Sequence, residues 1–345
     1  LAGVYRTAVD RGAKKVYGML YGIQGLLDEQ YVDLSKFIRS DLDVEILKRT
    51  PSAFLGTCRY KLPDIHENQE IYVKIFEILN KLNIECFIYI GGNDSMDTIK
   101  KLSDYAILTG QSQKFVGVPK TIDNDLALTD HTPGYGSAAK YIATSTKEVI
   151  RDGIGFSYKK QQVIIIEIMG RNAGWLTGAA ALSRGEDCDG PDLIYLPELT
   201  FDIEKFTAKV RKLLEKKDVV VVAVSEGIRI KDGRYVSELG SASDYVDAFG
   251  HKQLTGTASY LANVIHRDIG CKTRAVEFST LQRSAAHLAS RVDVNEAFMV
   301  GGAAVKAADE GDSGKMVVID RVSDDPYQCA TGIYDVHKIA NGEKM

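Results

Sequence analysis

Two aspartates, Asp123 and Asp125, stand close to Lys120 and Thr121 in a short polar stretch that follows an apolar run. We expect an extended turn that directs the two carboxylates to opposite sides. One carboxylate could then accept a hydroxyl proton while the other orients Mg²⁺ or water. A lysine beside such a base suits phosphoryl transfer, because it brings positive charge to the transferred group. A turn capped by Asp and Asn side chains is the structural alternative.

Three more turns of this kind follow apolar runs elsewhere. Gly91 and Gly92 precede a helix-like segment, where backbone N–H groups and the positive helix end favour an anion. Arg171 follows a Met-Gly pair, and Glu226 follows a valine-rich run. A plain tight turn, a helix cap or a loop salt bridge could each explain one of them. Their recurrence indicates a binding site, since ligands of open α/β sheets bind beyond the carboxyl ends of strands.

Other cations could bind an anion, although a solvated surface charge is the ordinary role of each. They are Arg59, Lys252, Arg274 and Arg283. The phosphate-binding patterns G-x-x-x-x-G-K-[ST] and G-x-G-x-x-G do not occur, so the common nucleotide-binding folds are not supported. Five cysteines without a C-x-x-C pair predict neither a disulfide framework nor a zinc site.

The segments that must position these turns alternate between strand-length apolar runs and helix-period patterns. Strands are predicted at 16–20, 86–90, 115–118, 162–168, 192–196 and 218–224. Helices are predicted at 68–81, 95–108, 135–151, 173–183, 203–215 and 257–269. The helix from residue 95 could be capped by Asp94 or Ser95. Such alternation predicts the α/β class, with two Rossmann-like three-layer αβα domains and largely parallel sheets.

Composition excludes several classes of protein. The 345 residues favour about two domains, and the net charge of −4 argues against a nucleic-acid partner. No apolar run approaches the ~20 residues that span a membrane, and no secretory signal opens the chain. We therefore expect a cytoplasmic protein without a membrane partner. The chain opens at Leu1, inside a helix-like stretch, so we expect further residues upstream.

Taken together, the motifs resemble the phosphofructokinase family, and within it the branch that uses pyrophosphate. The motifs are GTCR (residues 56–59), GGND (91–94), PKTIDND (119–125), TPGYGSA (132–138), MGRNAG (169–174), SEG (225–227), FGHKQ (249–253) and LQRS (281–284). The resemblance implies the phosphofructokinase fold and reversible, Mg²⁺-dependent phosphoryl transfer from pyrophosphate to the 1-hydroxyl of fructose 6-phosphate. It also implies a donor-binding domain at 1–140 plus about 282–314, and a sugar-phosphate-binding domain at 141–281 plus about 315–345.

The resemblance implies a role for each candidate residue. Asp123 is the general base, with Lys120 and Arg171 completing the catalytic set. The sugar phosphate is bound by Thr121, Met169, Gly170, Glu226, Arg274 and Arg283. One of the two arginines, Arg274 or Arg283, comes from a neighbouring subunit, so a homodimer or homotetramer is implied. The donor faces Arg59, Gly91, Gly92 and Asp94. The implied Mg²⁺ ligands are Asp94 and Asp125, because Asn93 stands where the family commonly has a metal-ligating aspartate.

Two positions distinguish the phosphoryl donor. Family members that use ATP typically carry glycine where this chain has Asp94 and Lys120. A carboxylate 4 Å from the α-phosphate of a nucleotide would repel it by about 4 kcal/mol at an effective dielectric of 20. Pyrophosphate has no α-phosphate and avoids this repulsion. Three alternatives remain: a non-catalytic regulatory subunit of the family, an ATP-dependent 6-phosphofructokinase, and a kinase for a seven-carbon sugar phosphate.

Overall fold

A computed structural model describes residues 1–240 and 256–345. It divides into two compact units. The first unit comprises Leu1–Thr121, Asp125–Gly134 and Arg291–Lys344. The second unit comprises Ile122–Asn124 and Tyr135–Ser290, together with Met345.

Both units are built from alternating helices and strands. The α-helices are α1 (Ala2–Asp10), α2 (Gly22–Leu27), α3 (Asp41–Arg49), α4 (Gln69–Lys81), α5 (Asn93–Thr109), α6 (Tyr135–Gly155), α7 (Trp175–Ala179), α8 (Ile203–Leu214), α9 (Thr257–Ile269) and α10 (Arg291–Asp309). The strands are β1 (Tyr17–Met19), β2 (Tyr31–Asp33), β3 (Cys86–Gly91), β4 (Lys114–Pro119), β5 (Gln162–Ile168), β6 (Leu193–Tyr195), β7 (Val219–Ser225), β8 (Lys272–Glu277), β9 (Lys315–Asp324) and β10 (Tyr327–Asp335).

The main sheet of the first unit has the strand order β10-β9-β4-β3. Strands β3, β4 and β9 are parallel, and β10 returns antiparallel beside β9. Side chains alternate across β4, as the period of a strand requires. Phe115 packs into a core with α4 and α5, whereas Val116 and Val118 pack against residues of α10. Helices therefore cover both faces of this sheet.

The sheet of the second unit is entirely parallel, in the order β6-β7-β5-β8. All seven residues of β5 are buried. Ile164 and Ile166 pack with α6 and α7, whereas Val163 and Ile165 pack with α8 and α9. Burial on both faces explains the continuous apolar run that predicted this strand. The predicted α/β class with largely parallel sheets is confirmed.

The C-terminal part of the chain departs from the predicted domain assignment. Residues 315–344 belong to the first unit, because β9 pairs with β4 at Val116–Lys315 and Gly117–Met316. Their predicted placement in the second domain is wrong. Residues 282–290, predicted in the first domain, lie in the second unit, where the Ser290 N–H bonds to Ser137 Oγ at 3.0 Å. The predicted strand at 16–20 forms only β1, in a separate antiparallel pair with β2.

Helices α1 and α10 of the first unit cross closely. A Cβ added at Gly3 would lie 1.9 Å from the Phe298 carbonyl oxygen, and one at Gly302 would lie 2.7 Å from Thr7 Oγ1. Such separations are well below van der Waals contact, so glycine is required where the two backbones approach. The glycines at 301 and 302 thus serve helix packing inside α10.

We expect Gly3→Ala to lower the free energy of unfolding by about 2 kcal/mol, because the added methyl group meets a backbone oxygen that cannot move away. Gly178→Ala is the matched control, since a Cβ at that helical glycine meets nothing within 4 Å. Urea titration followed by circular dichroism measures both variants. Equal stability of Gly3→Ala and Gly178→Ala would contradict the close crossing.

Candidate active site

Two predicted turns of the first unit are neighbours because β3 and β4 end at the same level. Gly91 pairs with Pro119, and the Lys120 N–H donates to the Gly91 carbonyl at 3.0 Å. A Cβ at Gly92 would lie 3.8 Å from the Lys120 carbonyl oxygen and from Thr121 Cβ. The structure therefore brings the glycine turn beside the start of the Lys120–Thr121 stretch.

The glycine turn leads directly into α5. A Cβ at Gly91 would lie 2.0 Å from Ser95 Oγ, so a larger residue would displace the first turn of the helix. The helix begins at Asn93 with Gly92 at its N-cap, so Asp94 lies inside the first turn. The predicted start at residue 95, with Asp94 or Ser95 as the cap, is wrong by two residues. A carboxylate in this first turn is stabilised by the positive end of the helix.

The stretch that contains the two aspartates is a turn held by its neighbours. Asn124 has a φ of 56°, a left-handed conformation that asparagine tolerates, so the predicted extended geometry is wrong. The Thr121 carbonyl accepts a hydrogen bond from Thr132 Oγ1 at 2.8 Å. Asp123 and Asp125 are each half-buried. Asp123 belongs to the second unit and Asp125 to the first.

The turns after β5 and β7 interlock in the second unit. These strands pair with Ile168 opposite Ser225. The Gly170 N–H donates to Glu226 Oε1 at 3.4 Å, and Ser225 Oγ donates to the Gly170 carbonyl. Gly170 has a φ of 135°, and a Cβ there would lie 2.6 Å from the Ala173 carbonyl oxygen. The predicted sugar-binding turn thus requires glycine for its shape.

Two neighbouring backbone positions complete this arrangement. The Met169 N–H donates to Gln282 Oε1 at 3.2 Å, and Gln282 is buried. A Cβ at Gly227 would lie 2.0 Å from the Arg171 carbonyl oxygen. Met169, Gly170, Arg171 and Glu226 are therefore brought together, as predicted from their positions at strand ends. Gln282 was not predicted as a site residue, although it lies within a motif that the sequence contains.

Glu226 sits where its charged form is disfavoured. Burial raises the pKa of Glu226 to about 7, and the nearby carboxylates of Glu167 and Asp123 add to the shift. The Gly170 N–H and the charge of Arg171 oppose it. Glu226, Asp123 and Arg171 thus influence one another electrostatically within the second unit. A carboxyl that titrates near neutral pH is typical of functional sites.

Glu167 is a buried residue whose carboxylate acts electrostatically on Glu226. Burial raises the pKa of Glu167 to about 7, against the hydrogen bond from the Ala258 N–H at 2.8 Å. Sequence reasoning did not identify Glu167. The available signal was a single acidic residue within the otherwise apolar run of β5.

The two predicted phosphate-binding arginines occupy different places in the second unit. Arg283 is exposed and directly follows Gln282, which holds the Met169 turn. Arg274 lies on β8 opposite Ile164, four residues before the end of β5 and so about 13 Å from that end. It borders a pocket of about 270 Å³ beside α6 and pairs with Asp152 at 3.4 Å. The structure does not bring Arg274 to the strand ends.

Two further candidate cations are Arg59 and Lys252. Arg59 is exposed in the first unit and follows Cys58, which contacts Tyr89 of β3. Lys252 and the motif at 249–253 lie outside the described residues. Within residues 1–240 and 256–345, the structure contains no cluster of three or more His, Cys, Asp or Glu residues suited to a metal ion. The same residues include no helix with the length and apolar character needed to cross a membrane.

Comparisons with known proteins agree with this architecture. Residues 1–308 match the family described as Phosphofructokinase. A pyrophosphate--fructose 6-phosphate 1-phosphotransferase of Xanthomonas campestris pv. campestris is 43% identical over 96% of this chain and 78% of its own length. An enzyme of the same name from Halomonas elongata is 41% identical over 96% of this chain and 78% of its own length. A pyrophosphate-dependent phosphofructokinase from Nitrosospira multiformis, known from its crystal structure, has 35% sequence identity to this chain. The two structures superpose with a TM-score of 0.87, and the match covers 100% of this chain and 80% of the other. The chain belongs to the phosphofructokinase family.

Proposed function

We propose that this chain transfers a phosphoryl group from pyrophosphate to the 1-hydroxyl of fructose 6-phosphate, giving fructose 1,6-bisphosphate and phosphate. The observation that carries the choice of donor is the pairing of β3 with β4, which sets Asp94 of the α5 first turn near the stretch that begins at Lys120. The exposed carboxylate of Asp94 disfavours the α-phosphate of a nucleotide, whereas pyrophosphate presents only two phosphoryl groups.

Asp123 acts as the general base. It follows Lys120 by three residues, so the chain itself keeps the two within about 11 Å. The Asp123 carboxylate takes the proton of the 1-hydroxyl, the hydroxyl oxygen bonds to phosphorus, and the bond to the leaving phosphate breaks. Lys120 and Arg171 offset negative charge on the transferred group and the departing phosphate. Because phosphoryl transfer from pyrophosphate to the sugar is nearly balanced energetically, the reaction runs in either direction.

The Met169–Gly170 turn, Glu226 and Thr121 bind the sugar. Its phosphate is held by Arg283 of the same chain and by Arg274 of a second copy. This assignment follows from the position of Arg274 on β8, about 13 Å from the end of β5. The active enzyme is accordingly a homodimer or homotetramer, and we place it in cytoplasmic glycolysis and gluconeogenesis.

Mg²⁺ would be held by Asp94 and Asp125 together with the phosphates. Mg²⁺ commonly binds through one or two carboxylates plus substrate oxygens, so a site with few protein ligands suits it. Both residues belong to the first unit and offer the hard oxygen ligands that this ion prefers. When bound, the ion would neutralise charge on the pyrophosphate.

The function is tested by supplying fructose 6-phosphate with either pyrophosphate or ATP to the purified protein and measuring fructose 1,6-bisphosphate. We expect turnover with pyrophosphate and at most a trace with ATP. Turnover with ATP alone would overturn the donor assignment. Turnover with neither donor would favour a regulatory subunit, and faster turnover of a seven-carbon sugar phosphate would change the acceptor.

The donor preference should depend on two side chains. We expect Asp94→Gly with Lys120→Gly to gain ATP-dependent turnover and to lose most pyrophosphate-dependent turnover, because the repulsion and the stabilising cation are both removed. The single variants separate these effects. Asp94→Gly should admit ATP, and Lys120→Gly should lower kcat with pyrophosphate. An unchanged ratio of the two activities in the double variant would contradict the assignment.

Glu226 should make sugar binding depend on pH. With a pKa near 7, its carboxyl is largely protonated at pH 6 and ionised at pH 8, and the ionised form accepts hydrogen bonds from sugar hydroxyls more strongly. We therefore expect KM for fructose 6-phosphate to fall by about tenfold from pH 6 to pH 8. Glu226→Gln is the control, since it retains the titration of the substrate phosphate. Equal pH dependence in the two proteins would contradict this role.

A further inference from the structure

Residues 341–344, which we call the strap, run beside the stretch that follows the proposed base. The Lys344 N–H donates to the Asp125 carbonyl at 2.7 Å. Glu343 and Leu126 form an antiparallel bridge, and Leu126 is fully buried. The backbone at Asp125 and Leu126 is therefore paired with the strap as in a short piece of sheet.

The side chain of Lys344 extends this attachment to the next turn. Its Nζ donates to the Thr129 carbonyl at 3.1 Å and to the Asp130 carbonyl at 2.7 Å. The lysine is half-buried, and burial lowers the pKa of its ammonium group. One residue of the strap thus contacts both ends of the loop from Asp125 to Asp130.

The other end of the strap is anchored on the first turn of α5. Asn93 Oδ1 accepts from the Asn341 N–H at 2.6 Å, and Asn93 Nδ2 donates to the Gly342 carbonyl at 2.7 Å. Asn341 Nδ2 also donates to Asp97 Oδ1 at 3.1 Å. Asn93 lies between Gly92 and Asp94, so this anchor is part of the glycine turn itself.

We propose that the strap fixes the position of the Asp125–Asp130 loop relative to the glycine turn, and that Asn93 and Lys344 are positioning residues for phosphoryl transfer. This inference rests on the proposed function, which it extends. All of these contacts lie within the first unit. The pattern at residue 93 requires an amide, because a carboxylate could accept from the Asn341 N–H but could not donate to the Gly342 carbonyl.

The kinetic test is Lys344→Met, which keeps much of the side-chain length and removes the ammonium group. We expect kcat with pyrophosphate to fall about tenfold, with KM for fructose 6-phosphate within twofold, because a misplaced loop affects the reacting geometry more than sugar binding. Lys344→Arg should recover part of kcat. Lys338→Met, at an exposed lysine of the same region, is the matched control. Equal kcat in Lys344→Met and Lys338→Met would overturn the proposal.

Hydrogen exchange provides a readout that needs no turnover. In Asn93→Asp, the Lys344 amide should exchange faster than in the parent protein, because loss of the bond to Gly342 frees the strap from Asp125. Unchanged exchange would overturn the proposal even if the enzyme is active. An inactive parent protein with the expected exchange pattern would refute the proposed function and leave the strap supported as a structural element.

Discussion

In each unit, two neighbouring parallel strands end at the same level, and the turns that follow them carry the charged side chains. Gly91 of β3 lies opposite Pro119 of β4, and Ile168 of β5 lies opposite Ser225 of β7. A shift of either pair by one residue would turn each side chain of a strand to the opposite face of the sheet, where it would meet a different set of helices. The apolar residues that pack both faces of each sheet therefore also determine where the proposed site residues lie.

Close backbone approach and buried charge then shape the second-unit turns. Gly170 and Gly227 permit contacts that a Cβ would prevent, and these contacts bring Glu226 near Arg171 and Asp123. The same compactness removes water from Glu226 and Glu167, which raises both pKa values toward neutrality. The tight packing of the turns is therefore also the reason that Glu226 and Glu167 titrate near pH 7.

Strands β3 to β7 could be predicted, whereas β8, β9 and β10 could not. Strands β5 and β7 are buried on both faces and appear in the sequence as long apolar runs, which Glu167 interrupts in β5. Strand β8 is an edge strand with only two apolar residues, and α10 contains a glycine pair that resembles a break in a helix. The hairpin of β9 and β10 was missed, although β9 contacts β4 directly. Neither a mixed edge pattern nor a distant pairing partner produces a periodic signal.

The sequence by itself determined the α/β class, strands β3 to β7 and the charged turns that follow four of them, because apolar runs and glycine-bearing turns leave local patterns. Only the tertiary structure decided that residues 315–344 join the first unit, that Glu167 and Gln282 adjoin the predicted turns, and that Arg274 lies far along its strand from them. These facts depend on which segments pair although they lie far apart in the sequence. Such pairing is selected by the free energy of the whole packed sheet and leaves no trace in the local pattern of either segment.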